Sequence, residues 1–114
     1  MQAGVDVVIG GHGQQEGLAS HWEMWSLARG GWSPLEALQA ATIMPARHLG
    51  FDQDIGTLEV GKLADLVIMR ANPLDDIGNT DEIDFVMLNG RLYDAVTMNE
   101  TITGDSDRQP YFWE

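Results

Sequence analysis

The sequence has no cysteine, which excludes disulfides and thiolate chemistry and says little about the compartment in which the protein resides. Basic residues are scarce too: six Lys and Arg stand against 18 Asp and Glu, giving a formal net charge of -12 at pH 7. Nucleic-acid phosphates and anionic membrane surfaces both repel such a chain. We therefore expect neither nucleic acid nor a membrane as a partner, and we interpret the dispersed carboxylates as a solvated surface.

Long apolar runs are also missing, because no stretch reaches the roughly 18 apolar residues that a membrane span requires. Residues 1–4 lack the basic and apolar regions of a secretory signal peptide, so we expect any export signal to lie upstream. What the chain does contain is the balance of a folded protein: 114 residues, 44% hydrophobic and 21% charged. This length and composition predict one compact unit.

The first apolar run, Val-Asp-Val-Val-Ile at residues 5–9, is bounded by glycines. Continuous β-branched residues predict a strand buried on both faces, as in a parallel sheet covered by helices. Residues 10–13 then form a glycine-rich turn, and a helical pattern follows from about 15 to 29. A buried parallel strand needs neighbouring strands, and the sequence leaves open whether this chain provides them.

A second helix is predicted to start at Ser33, because Ser33 and Glu36 have the spacing of a capping box. Pro45 is expected to stop or kink this helix, and a further short turn over 46–49 ends at Gly50.

The second half of the sequence reads as strands. Residues 64–69 predict a buried strand, and Asn89-Gly90 between two apolar runs predicts a two-residue hairpin. In the polar tail, we expect a loose stretch over 104–107 and docking of the aromatic residues 111–113. The order of elements predicts an α/β unit that leads into a small all-β portion.

Five segments of the sequence occur in a characteristic order: 33–42 (SPLEALQAAT), 45–50 (PARHLG), 55–67 (IGTLEVGKLADLV), 72–77 (NPLDDI) and 86–91 (VMLNGR). Together they resemble the amidohydrolase superfamily of metal-dependent hydrolases, and the resemblance covers roughly residues 4–95. The opening residues 10–14 and 21–23 are most similar to members that carry an N-terminal Tol-B-like propeller.

This resemblance implies a distorted (β/α)8 barrel that holds one or two divalent metals, with a small β-sandwich built from both chain ends. The chain then corresponds to the last barrel strand and helices over residues 1–52, to sandwich strands over 53–98 and to a tail over 99–114. The resemblance also implies a C-terminal fragment of a longer hydrolase, in which a divalent metal, with zinc favoured, activates water against a small amide-type substrate. The fragment alone is expected to lack most of the catalytic residues and to hold no metal of its own.

His12 is the candidate catalytic and metal-binding residue that this resemblance assigns. Where the superfamily has Gly-Thr-Asp, with the Asp as metal ligand and base, this chain has Gly10-Gly11-His12. A neutral imidazole can ligate zinc and can act as a general base near pH 7. The alternative is a turn histidine that bonds a backbone carbonyl. We assign no other cofactor-binding residue.

The remaining polar candidates favour structural roles. His21 and Glu23 lie two residues apart on a helix, so they point to different sides and do not form a ligand pair. His48 is expected to pack or to face a helix C-terminus, and Asp65 and Lys62 are expected to fix turns. The tryptophans at 22, 25 and 32 are expected in the core, or lining a pocket near the barrel mouth.

Three hypotheses follow for function. The parent protein hydrolyses C–N bonds other than ordinary peptide bonds, through a metal-activated water. Alternatively, the chain is a non-catalytic structural module that forms a homo-oligomer to cover its unpaired strand. A third reading is a pseudoenzyme, in which His12 replaces the usual Asp because chemistry was lost.

Overall fold

The computed structural model describes residues 4–12, 15–102, 108–110 and 112–113, and shows a mixed α/β fold with a small sheet. No helix in these ranges is long and apolar enough to cross a membrane. The elements in chain order are α1 (Ala19–Arg29), α2 (Pro34–Ala41), α3 (Ile43–Leu49), β1 (Leu66–Met69), a 3-10 helix (Ile77–Asp81), β2 (Ile83–Leu88) and β3 (Arg91–Asp94).

Residues 5–9 are extended but pair with no strand among the described residues, so the predicted buried strand is wrong for this chain. Val5, Val7 and Val8 are 64%, 36% and 40% exposed. A backbone bond does hold the end of the segment, because the Ile9 amide donates to the Ala40 carbonyl at 3.1 Å. Burial on both faces requires strands on either side and covering helices, which the described part of the chain does not place there.

The helices differ from the expectation at two ends. α1 begins at Ala19 rather than near residue 15. The break between α2 and α3 falls at Thr42, with φ -130° and ψ -90°, and Pro45 lies inside the first turn of α3. Pro45 does not stop the helix because amides in a first helical turn have no intrahelical partner to lose. Gly50 ends α3 in the left-handed region, with φ 77° and ψ 22°.

The predicted capping box is confirmed at the start of α2. The Ser33 hydroxyl accepts from the Glu36 amide at 3.3 Å, and the Ser33 amide donates to the Glu36 carboxylate at 2.8 Å. That backbone bond, with a second bond from the Ser33 hydroxyl, lowers the pKa of Glu36 from its ordinary value. The helix start is therefore sensitive to the ionisation of one carboxyl group.

Ser33→Ala is expected to lower the free energy of unfolding by about 1 kcal/mol near neutral pH. The folded-state pKa of Glu36 is depressed, so its contribution is present above the unfolded pKa and is lost as pH falls through the folded pKa. The difference between variant and wild type should therefore narrow in acid. Urea unfolding of both proteins at neutral pH and in acid measures this difference in the free energy of unfolding. Ser26→Ala, which removes a hydroxyl bonded to the Trp22 carbonyl, is the pH-independent control; a pH-independent Ser33 effect would contradict the assignment to Glu36.

β1, β2 and β3 form an antiparallel sheet in that order. The Asn89-Gly90 hairpin is confirmed, with φ of 49° and 80° at the two turn residues. The expectation of a buried β1 is wrong, because Val67 is 51% exposed. Antiparallel sheets can leave one face to solvent, and no second layer covers this strand among the described residues.

The core is small and lies among the helices. The most buried apolar residues are Met24 of α1, Ala37 and Ala40 of α2, and Met44 and Ala46 of α3. Small alanines let the three helices approach closely, and few large side chains fill the interior. The helices contact the sheet side of the chain through the 3-10 helix, which α1 packs against.

Phe112 and Trp113 are more exposed than the expected docking of the terminal aromatic residues predicts. Phe112 is 97% exposed and Trp113 is 67% exposed, with their ring centroids 4.7 Å apart. Tyr111 and the stretch expected to be loose over 104–107 lie outside the described residues. The proposed division into 1–52, 53–98 and 99–114 stays a prediction.

Candidate functional site

An open groove of about 450 Å3 runs between residues 7–9 and helix α1. His12 lies on it and is exposed. Apolar side chains line most of the groove, and Glu23 and His12 bring ionisable groups to it. The lining residues are Val7, Val8, Ile9, His12, Gln15, Ala19, Trp22, Glu23, Ser26 and Leu27.

Two hydrogen bonds hold the backbone that precedes His12, and Gly11 lies close to α1. The Ile9 amide donates to the Ala40 carbonyl of α2 at 3.1 Å. The Gly10 amide donates to the Glu23 carboxylate of α1 at 2.6 Å. A Cβ at Gly11 would lie 3.0 Å from the Ser20 hydroxyl, so a larger residue there would crowd α1. The structure therefore fixes the turn before His12 against two helices.

Comparison with known proteins identifies the family of this chain. The sequence model of the amidohydrolase family matches residues 1–93. The chain belongs to the amidohydrolase family. Imidazolonepropionase of Symbiobacterium thermophilum is 56% identical over 39 residues, which are 34% of this amidohydrolase chain and 9% of that protein.

Solved structures give the same family. Phenylurea hydrolase B is 40% identical, with a TM-score of 0.68 over 72% of this chain and 18% of that one. A Xaa-Pro dipeptidase with methionine bound in its active site is 33% identical, with a TM-score of 0.67 over 71% of this chain and 20% of that one. The amidohydrolase chain spans a fifth or less of the length of each of these relatives.

The amidohydrolase family is generally metal-dependent, but the residues described here do not fit a metal centre by themselves. No group of three or more His, Asp or Glu side chains converges anywhere in the described ranges. A catalytic zinc needs about three protein ligands, and His12 offers one imidazole. The metal-binding role of His12 stays a prediction.

The other histidines of this amidohydrolase contact different neighbours. The His21 ring lies 6.3 Å from that of Trp25, and its Nδ1 is buried with no hydrogen-bond partner. His48 lies in the last turn of α3, where its Nδ1 is 3.2 Å from the Met44 carbonyl. Of the two places expected for Trp22, the core and a pocket, the structure favours the second, because Trp22 is 45% exposed and lines the groove.

Lys62 and Asp65 fix turns, as the sequence predicts. The Lys62 ammonium donates to the Asp52 carbonyl at 2.7 Å and to the Thr57 hydroxyl at 2.5 Å. Asp65 accepts from the Asn89 amide at 2.7 Å and so holds the hairpin turn. These side chains are occupied by structural bonds rather than available for chemistry.

Glu23 has a partner that the sequence did not reveal, because its spacing from His21 excluded only a ligand pair. Its carboxylate bonds the Gly10 amide, while His21 packs near Trp25, so the two side chains do have different surroundings. No local sequence pattern predicts the contact between Gly10 and Glu23, which lie 13 positions apart. The available signal was weak: an acidic residue on a helix that follows a glycine turn with unpaired amides.

Proposed function

We propose that this chain contributes part of the active site of a hydrolase that cleaves amide-type C–N bonds in small substrates. The observation that carries the proposal is the family match over residues 1–93, with His12 exposed on an apolar groove. Since the chain spans a fifth or less of the relatives compared, we infer that a longer protein supplies the rest of the site.

The fold proposed for that protein is a (β/α)8 barrel, to which this chain gives the last strand and helices, plus strands of a small β-sandwich. In that setting residues 5–9 would gain the neighbouring strands that the described part of the chain does not provide. Zinc is the metal we propose for it, because imidazole and carboxylate are among its ordinary ligands. The chain alone is proposed to be inactive.

His12 is proposed as the general base of the reaction. It lies directly after the extended segment, and the ends of barrel strands are where such enzymes place chemistry. Its imidazole is exposed, so it can exchange a proton with a water molecule. The apolar side chains of the groove would exclude bulk water from the uncharged part of a substrate.

Kinetics of the complete gene product test this proposal on three substrates: a phenylurea, a cyclic amide and a Xaa-Pro dipeptide. We expect hydrolysis of the first two and none of the dipeptide. His12→Ala should lower kcat by about 100-fold or more, as loss of a general base does. His48→Ala is the matched control and should leave kcat unchanged.

Each other outcome is informative. Wild-type kcat in His12→Ala would remove His12 from the reaction. Cleavage of the dipeptide would extend the substrate class to peptide bonds. Absence of turnover together with absence of bound metal in the complete protein would support a pseudoenzyme, while turnover by the isolated chain would contradict its proposed inactivity.

A second function is favoured by the exposed valines of residues 5–9. A segment that pairs with no strand among the described residues is a template for pairing with another chain. We propose that the isolated chain self-associates there. Light scattering should show a dimer or larger species that Val7→Lys converts to a monomer, whereas Val96→Lys, at a site 88% exposed, should not. A monodisperse wild-type monomer would exclude this proposal.

A further inference from the structure

We propose that Glu23 is the positioning residue for His12: its carboxylate holds the turn that carries the imidazole. This inference rests on the proposed function, because it concerns the residue to which that function assigns the chemistry. Glu23 is not a catalytic residue here, since the contact that defines its role is with a backbone amide.

The bond itself is short and charge-assisted. The distance from the Gly10 amide nitrogen to Glu23 Oε2 is 2.6 Å. Hydrogen bonds to an ionised acceptor are roughly twice as strong as neutral ones, so this contact is the strongest of those fixing the turn. Glu23 is partly buried, whereas Gly10 is exposed.

The helix that bears the Glu23 carboxylate, α1, is well packed. Glu23 lies in the middle of α1, next to Met24, which is 6% exposed and anchors the helix in the core. Helix α1 in turn packs against α2 and the 3-10 helix. A carboxylate mounted on such an element defines a fixed point for the chain that it bonds.

The turn that it holds has little rigidity of its own. Gly10 and Gly11 precede His12, and glycine has access to more backbone conformations than any other residue. The neighbouring contacts fix Ile9 and bring Gly11 close to Ser20, but neither bonds Gly10. Without the Glu23 carboxylate, the amide two residues before His12 would lose its partner, and the imidazole would sample a wider range of positions.

The test uses nuclear magnetic resonance on the chain without substrate. Glu23→Ala should accelerate hydrogen exchange of the Gly10 amide by about tenfold or more, since a bond to a charged group is lost. The ring resonances of His12 should also shift and broaden. Glu23→Gln keeps an acceptor oxygen of nearly the same reach and should return the His12 resonances most of the way to wild type.

Glu16→Ala is the matched control, because it removes one exposed carboxylate from the turn before α1. It should change neither readout. Unaltered Gly10 exchange and unaltered His12 resonances in Glu23→Ala would overturn the proposal, as would equal effects in Glu16→Ala. If Glu23→Ala does not fold, an exchange rate in Glu23→Gln equal to wild type together with shifted His12 resonances would also overturn it.

Kinetics separate this inference from the proposed function. In the complete gene product, Glu23→Ala should lower kcat by about tenfold with little change in KM, because a positioning defect acts on the reacting geometry. Absence of any hydrolysis would count against the function while leaving the resonance result standing. Full activity in Glu23→Ala, with His12→Ala inactive, would contradict the positioning role of Glu23 and leave the proposed function standing.

Discussion

Replacing Gly56 with alanine is expected to lower the free energy of unfolding by about 3 kcal/mol. Two costs add at this position. The φ of Gly56 is +95°, a conformation that side-chain-bearing residues rarely adopt. A Cβ there would also meet the Ala46 Cβ at 2.9 Å and the Ile43 Cα at 3.0 Å.

The contact cannot relax cheaply, because both neighbours belong to helix α3. Ala46 is 4% exposed and one of the core residues, and the backbone of Ile43 cannot move without shifting the helix. The turn that carries Gly56 is also tied down, since the Phe51 amide donates to the Ala46 carbonyl at 2.8 Å. Overpacking of this kind typically costs about 1–3 kcal/mol.

Gly61→Ala is the matched control within the same segment. Gly61 has nearly the same φ, +98°, but a Cβ there meets nothing within 4 Å. This variant should therefore carry the conformational cost alone, about 1–2 kcal/mol. Urea unfolding followed by circular dichroism measures both variants. Equal losses would show that the contact with α3 costs nothing and that the conformation explains the whole effect.

Local signals in the sequence predicted local structure well. The capping box at Ser33, the end of the short helical turn at Gly50 and the hairpin at Asn89-Gly90 all depend on a few adjacent residues, and the structure confirms them. Each is fixed by chemistry that operates within one turn of chain. The close approach of Gly56 to α3 has no such local cause, so the pattern of glycines did not reveal it.

Burial was predicted poorly, because burial depends on what lies next to an element. The valines of residues 5–9 have the composition of a covered strand, yet Val5, Val7 and Val8 stay 64%, 36% and 40% exposed. The same reason applies to Val67 of β1. Residue type indicates the surroundings that suit a side chain. Whether the side chain is buried depends on which elements lie beside it.

Sequence analysis proposed one candidate site residue, His12, but not the arrangement around it. The sequence singled out His12, and the structure places it on a groove whose walls come from the extended segment and α1. The bond from Gly10 to Glu23 depends on how that segment lies across the helix. Such tertiary contacts between residues distant in sequence leave no periodic signal.

Trp25→Ala is expected to lower the free energy of unfolding by about 3–5 kcal/mol, the range for a large aromatic side chain removed from a packed site. The Trp25 indole N–H donates to the Ile77 carbonyl and to the Thr80 hydroxyl, both at 2.9 Å. Thr80 is fully buried, with 0% exposure. These bonds connect α1 to the 3-10 helix across more than 50 residues, so their loss should loosen the helices from the sheet side.

Two further variants divide this effect into its parts. Trp22→Ala removes the same side chain at a position 45% exposed, and should cost about half as much because less apolar surface is returned to water. Thr80→Val removes the buried hydroxyl but leaves the Ile77 carbonyl as acceptor for the indole, so about 1–2 kcal/mol should be lost.

A Trp25→Phe and Thr80→Val double-mutant cycle should give a coupling energy of at least about 0.5 kcal/mol. Additive single effects would mean that the bond from Trp25 to Thr80 contributes nothing measurable, so that packing of the ring and its bond to the Ile77 carbonyl join the two parts of the chain.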